Sequence, residues 1–183
     1  KHSAPLWEYS DDTLMALSIL ENLRKYGEIN QDALAQSFVV HRNGHRGYGR
    51  GVTRLLKRIQ GGTDWRVASL EMFDGKGSYG NGSAMRVTPI GAYFADDLDK
   101  VIEQAEHSSV VTHMHPEGIA GAIAVAVATA LAFRHQSAGN LPDWQTFLAE
   151  IISYIPESEI REKTKTALDL DVTILVHGRQ VAG

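Results

Sequence analysis

The 183-residue chain contains no cysteine. A disulfide framework, a thiolate zinc site and thiol catalysis are therefore excluded, and a cytoplasmic setting is expected. A surplus of positive charge is missing as well. Eighteen Lys and Arg stand against 22 Asp and Glu, for a formal net charge of -4. With the basic residues dispersed, no nucleic-acid footprint is visible. Long apolar runs are scarce. The longest, 119–133, has about 15 residues where about 20 would cross a bilayer, so no membrane partner is expected. No signal peptide is read at Lys-His-Ser-Ala-Pro. Strand alternation, repeats of fixed period, a Walker A ending and a nucleophile elbow are also missing. The chain has no initiator methionine and stops in mid-pattern at Gln-Val-Ala-Gly183, so it is expected to be a piece of something longer.

What is present reads as helices. Leu14, Leu17, Ile19, Leu20 and Leu23 form a helical stripe over 11–26, with Ser10 as N-cap and Gly27 as stop. Asn30 caps a second helix to about Val40, and a third runs through Val52, Leu55, Leu56 and Ile59 to Gly61-Gly62. Trp65–Phe73 reads as a helical turn or an irregular segment. Further helices are expected from about Ser83 to Phe94, after Asp96 or Asp97, from Pro142 to about Tyr154, and from Glu157 or Ser158 to about Leu168. The stretch from Ile119 to Phe133 shows no polar face, which predicts a central helix buried on all sides. The expected fold is all-α: a compact orthogonal multi-helix bundle around that helix, one domain over 1–183, incomplete at both ends.

Three breaks between helices carry candidate chemistry. Ser10-Asp11-Asp12-Thr13 sets two hydroxyls and two carboxylates at a helix start. Acids there suit the helix dipole, and the same oxygens suit a hard cation. Arg46-Gly-Tyr-Gly-Arg-Gly51 and Gly75-Lys-Gly-Ser-Tyr-Gly-Asn-Gly82 are glycine-rich segments ahead of helices, where free N–H groups receive anions. Arg46, Arg50 and Arg86 could balance a diphosphate there. Tyr48 and Tyr79 could stack on a base or ribose, or simply pack. Thr112-His-Met-His-Pro-Glu117 could suggest zinc, but no third ligand follows at a diagnostic spacing. A histidine here is expected to donate to an anionic ligand or to cap.

Together these segments resemble the ADP-ribosylglycohydrolase family. Ser10-Asp11-Asp12-Thr13-Leu-Met looks like the family's Thr-Asp-Asp-Thr-x-Met, with Ser10 where Thr is usual. Arg46–Gly51 looks like the loop that wraps the diphosphate, and Gly77–Arg86 is similar to the Gly-Asn-Gly-Ala-Met-Arg segment of the ligand cleft. Thr112-His113 with His115-Pro116-Glu117 resembles the element before the buried central helix. The resemblance implies an all-α hydrolase that cleaves the glycosidic bond between ADP-ribose and an acceptor, such as a modified side chain of a protein or a small molecule. It implies one or two Mg²⁺, or Mn²⁺, on Ser10, Asp11 and Asp12, with Asp11 and Asp12 as catalytic acids. Gly47, Tyr48, Gly49, Gly51, Ser78, Tyr79, Gly80, Asn81, Gly82 and His113 would bind substrate. Two family features are missing: an early Gly-Asp segment with a catalytic acid, and a late Asp-x-Asp-Thr. Asp169-Leu-Asp171-Val-Thr173 mimics the latter one residue too long, and we read it as coincidence, so only the first half of the metal site is expected here. The alternative is a relative that keeps the fold and binds ADP-ribose without turnover.

Overall fold

Caps and stops set most of the helix boundaries. In the computed structural model, which describes residues 8–170, α1 (Asp11–Tyr26) opens on two acids and ends at Gly27, whose φ of 74° is left-handed. A glycine takes that angle without a Cβ penalty. α2 (Gln31–His41) is capped by Asn30, whose side chain accepts from the Ala33 N–H at 3.0 Å. α3 (Arg50–Gln60) follows the first glycine-rich break. Asp97, Asp143 and Ser158 cap α7 (Leu98–Val110), α9 (Trp144–Ile152) and α10 (Glu159–Leu168). α9 starts two residues after Pro142 because the Asp143 carboxylate accepts from both the N–H and the hydroxyl of Thr146, at 2.9 Å each. Among the described residues there is no β-strand, and the all-α class stands.

Three helical expectations change. On α1 the buried set is Met15, Ile19 and Leu23 with Ser18 and Asn22, whereas Leu17 and Leu20 face solvent. The face is selected by the four-residue recurrence of Met15, Ile19 and Leu23, which align on one side of a helix. The helix expected over 83–94 is divided into a 3₁₀ turn, η1 (Ala84–Arg86), and α6 (Thr88–Tyr93). Pro89 is the cause, since in a continuous helix its ring would strike the carbonyl of Met85. Trp65–Phe73 becomes α4 (Trp65–Leu70) followed by a separate single turn, α5 (Met72–Gly75), in which Phe73 and Asp74 are left-handed.

α8 (Pro116–Ala138) is the axis, with α6 and α7 packed most extensively along it and η1, α9 and α10 around it. Ala120, Ala122, Ile123, Ala126, Val127, Ala130 and Leu131 are buried. Small side chains let neighbouring helices come close. A Cβ on Gly91 of α6 would collide with the Ala126 carbonyl and lie 2.8 Å from Thr129 Cβ. The helix is not buried on all sides, however. Ala124, Val125, Ala128 and Thr129 are half-buried and, with Phe147, Leu148, Ile151 and Ile155, line an open apolar groove. It is also longer than the apolar run suggested. At 23 residues it has the length and apolarity of a membrane-crossing helix, a property that the core helix of a globular bundle shares. The count of about 15 stopped at Phe133 and missed the polar turn that α8 carries on to Ala138.

The α6–α8 contact yields the first prediction. Gly91→Ala should destabilise the protein by about 3 kcal/mol, since backbone on a core helix cannot move aside. Gly44→Ala, with nothing within 4 Å of the added carbon, should be close to neutral. Urea unfolding of both variants measures the difference.

Candidate functional site

The first turn of α1 is bound to the first glycine-rich loop. The Asp11 N–H donates to the Arg46 carbonyl at 2.7 Å, and a Cβ on Gly47 would lie 3.4 Å from Asp11 Oδ1. Ser10 has the extended backbone of an N-cap, but its hydroxyl does not accept from the helix. It donates to Asp12 Oδ2 at 2.6 Å. Arg46 holds the loop from the other side. It donates to Glu8 Oε2 at 3.1 Å and to the Tyr9 carbonyl at 3.3 Å, and its guanidinium lies 4.3 Å from the Tyr9 ring centre. Gly49 caps α3, and Gly51 faces the Met72 side chain and the Phe73 ring rather than open loop.

The second glycine-rich segment is fitted around a histidine. His113 is 3% exposed. Its Nδ1 lies 2.7 Å from the Thr112 hydroxyl, and its other edge lies against the loop: a Cβ on Gly82 would sit 2.7 Å from Cε1 and 2.9 Å from Nε2. Gly82 is therefore a place where the backbone must come close, as is Gly118, whose Cβ would lie 2.8 Å from the Ser78 carbonyl. Ser83 locks the two segments by donating to the Gly118 carbonyl at 2.9 Å. Asn81 is exposed, and its carbonyl accepts from the Met85 N–H. Tyr79 is 71% exposed and meets the edge of His115 at 5.5 Å.

The zinc-like pattern dissolves on inspection. His115 caps α8 by accepting from the Glu117 N–H at 3.2 Å. The Glu117 carboxylate accepts from the N–H groups of Glu159 and Ile160, at 2.9 and 3.0 Å, and so caps α10. Among the described residues no three His, Asp or Glu side chains gather into a metal site.

Arg86 joins the two halves. Expected as a surface counter-charge, it is fully buried instead. Nη2 donates to the Ser108 carbonyl at 2.8 Å, Nη1 approaches Met15 Sδ at 3.9 Å, and the guanidinium lies 4.5 Å from the Phe38 ring centre. Met15 is one helical turn beyond Asp11, so the acidic turn of α1 is seated directly on the segment that ends the glycine loop. Burial lowers the Arg86 pKa to about 9, which leaves it charged at neutral pH. Burial, and then the Arg86 charge, push His113 down to about 3, so its imidazole is neutral. Burial raises the Tyr48 phenol, with the Asp11 charge adding to the effect and Arg86 opposing it. Burial and the neighbouring Asp12 charge raise the Asp11 carboxyl.

Asp11, with Gly47 and Tyr48 beside it, and His113, with Gly80 and Gly82 against it, are thus linked through Arg86. The profile of the ADP-ribosylglycohydrolase family matches residues 3–180. The chain belongs to this family. It is 37% identical to an ADP-ribosylhydrolase ARH3 of Xenopus tropicalis over 90% of this chain and 47% of that protein. It is 33% identical to the ARH3 of Gallus gallus (86% and 42%) and 32% identical to that of Homo sapiens (82% and 41%). It therefore spans less than half the length of these curated relatives.

Within this family member, the metal implied by the resemblance finds a partial donor set. Asp11 and Asp12 offer hard oxygens of the kind that Mg²⁺ and Mn²⁺ take. The two carboxylates sit close enough for Asp12 to raise Asp11, a repulsion that a bound cation would relieve. They supply part of an octahedral set of six. Asp171 and Thr173 of the late acidic segment lie outside the described residues. Sequence reasoning quoted Met15 only as the last residue of a motif, and missed that Met15 and Phe38 brace Arg86 and that Ser108 receives it. The spacing from Met15 to Ile19 and Leu23 was the available signal.

A neutral, buried His113 has a measurable consequence. Its folded pKa, about 3, lies below the unfolded value near 6.5, so the unfolded chain takes up a proton that the folded one refuses. The stability that this group contributes is complete above pH 6.5 and is lost as pH falls toward 3. Its slope approaches 1.4 kcal/mol per pH unit. In urea unfolding between pH 6.5 and 4.5, the wild type should lose stability more steeply than His113→Gln.

Proposed function

We propose that the protein hydrolyses the glycosidic bond between ADP-ribose and an acceptor such as a modified amino-acid side chain, with Mg²⁺ as its ion and Mn²⁺ as a substitute. The reading is carried by the seating of the Asp11–Asp12 turn on two glycine-rich loops at once: through Asp11 N–H to Arg46, and through Met15 to Arg86. Membership of the ADP-ribosylglycohydrolase family and the naming of its relatives as ADP-ribosylhydrolases support it.

In this reading Ser10, Asp11 and Asp12 hold the ion. When bound, the ion supplies Lewis-acid stabilisation of the charge that shifts as the bond at the ribose C1 breaks. Backbone N–H groups of Gly47, Gly49 and Gly51, and of Asn81 and Gly82 beyond the Gly80 turn, receive the diphosphate and position the ribose without reacting. Tyr48 and the exposed Tyr79 offer ring faces to the base or ribose. His113, held at Nδ1 by the Thr112 hydroxyl, offers its neutral imidazole as a hydrogen-bond partner to a ligand oxygen. Ser78 fixes the turn by accepting from the Gly80 N–H at 3.3 Å.

Release of ADP-ribose from serine- or arginine-ADP-ribosylated peptides should require the divalent ion. Asp11→Asn and Asp12→Asn should each lower turnover by roughly 100-fold or more, since loss of even an outer partner of a metal costs up to that much. Unchanged activity in both variants would remove these residues from the mechanism. Calorimetric binding of ADP-ribose with no turnover of any such peptide would select the non-catalytic relative instead.

A further inference from the structure

α3 leads away from the first glycine-rich loop with one face charged. Arg50, Arg54 and Arg58 recur every four residues, and with Thr53 and Lys57 they line one shallow concavity. Residues so spaced share a helix face, and at 1.5 Å per residue the stripe runs about 12 Å outward from Gly49. The helix holds four basic residues and no acid, in a chain of net charge -4. Among the described residues Arg58 pairs with Glu71, while Arg50, Arg54 and Lys57 are exposed and have no carboxylate at ion-pair distance. The surface continues from Arg54 and Arg58 to Glu71, Met72, Phe73 and Asp74. There Phe73 and Asp74 hold φ of 53° and 59°, a conformation that costs non-glycine residues about 1–3 kcal/mol and clusters at functional surfaces. The turn presents a Phe73 ring, 48% exposed, beside the start of α3 at Gly51.

We propose that this face binds acidic residues of the polypeptide that carries the ADP-ribosyl group. The inference rests on the reading above, in which the loop at the foot of α3 holds ADP-ribose, so that acceptor residues flanking the modified one pass over the helix. Three unpaired cations over about 10 Å match two or three carboxylates on an extended segment, and Phe73 gives an apolar contact at their side. A phosphate polymer fits less well. It needs a continuous cationic track, and here Glu71, paired with Arg58, and Asp74 flank the surface with charge of its own sign. Opposite charge across such a surface also speeds encounter and loses its effect in salt.

The test is equilibrium binding to the protein at its full natural length, with the divalent ion chelated to stop turnover. The probes are ADP-ribose, a 12-residue peptide ADP-ribosylated on one central serine and flanked by three glutamates, its counterpart with three glutamines, the arginine-modified versions of both, and a 12-nucleotide oligo-dT. At low salt the glutamate peptide should bind about five-fold tighter than the glutamine peptide, each exposed pair contributing a factor of about 1.5 to 5. The advantage should vanish in Arg54→Glu/Lys57→Glu, shrink in Arg54→Gln/Lys57→Gln and fade in about 0.5 M salt, where the Debye length is roughly half its value at physiological ionic strength. ADP-ribose affinity should not move. An advantage that survives the charge reversal, or ADP-ribose binding with no advantage at all, overturns the docking surface alone. Failure of every modified peptide to bind, together with failure of ADP-ribose to bind whether the ion is chelated or restored, overturns the functional reading and the acceptor assignment with it. Oligo-dT binding that the charge reversal abolishes, with no preference between peptides, overturns the proposal in favour of a phosphate polymer.

Discussion

The candidate site depends on a buried cation. Arg86 reaches from the end of the glycine loop into the interior, where a carbonyl, a thioether and an aromatic face are its neighbours. Among the described residues no carboxylate lies at ion-pair distance from it, and a charge so placed costs several kcal/mol before those contacts are counted. Its hydrogen bond to Ser108 ties η1 to α7, its contact with Met15 ties η1 to α1, and Phe38 brings in α2. Three helices are thereby fixed around one guanidinium, and the loops they carry are fixed with them.

Burial dominates the electrostatics of the surrounding groups. Burial first, and then the Arg86 charge, oppose protonation of His113, and burial with the Asp11 charge raises the Tyr48 phenol against the smaller opposing pull of Arg42 and Arg86. Asp11 and Asp12 repel one another at the outer end of α1. The result is an acid pair able to gather a cation, placed near a neutral imidazole and backbone N–H groups suited to an anion. In the proposed reading, an ADP-ribosyl group would offer its ribose end to a cation on the acids and its diphosphate to the N–H groups.

Much of this was legible in the residues. Caps at Asn30, Asp97 and Ser158, and the stop at Gly27, mark helix ends through local hydrogen bonds that need no tertiary partner. The four motifs were visible in order along the chain, and the match of residues 3–180 to the ADP-ribosylglycohydrolase family agrees with them. Errors arose where a nearby residue competed. Pro89 divided a helix that the apolar pattern would have continued, and the Asp12 carboxylate drew the Ser10 hydroxyl away from its capping role.

The sequence alone determined the helical class, the helix ends, and the short segments rich in glycine and acid, because propensity, capping and backbone freedom act within a few residues. Tertiary structure decided that Arg86 is enclosed and not presented to a ligand, that Glu117 caps α10, and that one flank of α8 stays open. Each of those outcomes depends on atoms from a distant part of the chain, such as Ser108 for Arg86 and the N–H groups of Glu159 and Ile160 for Glu117. No local pattern encodes such a partner, since burial and long-range hydrogen bonding exist only once the helices have met.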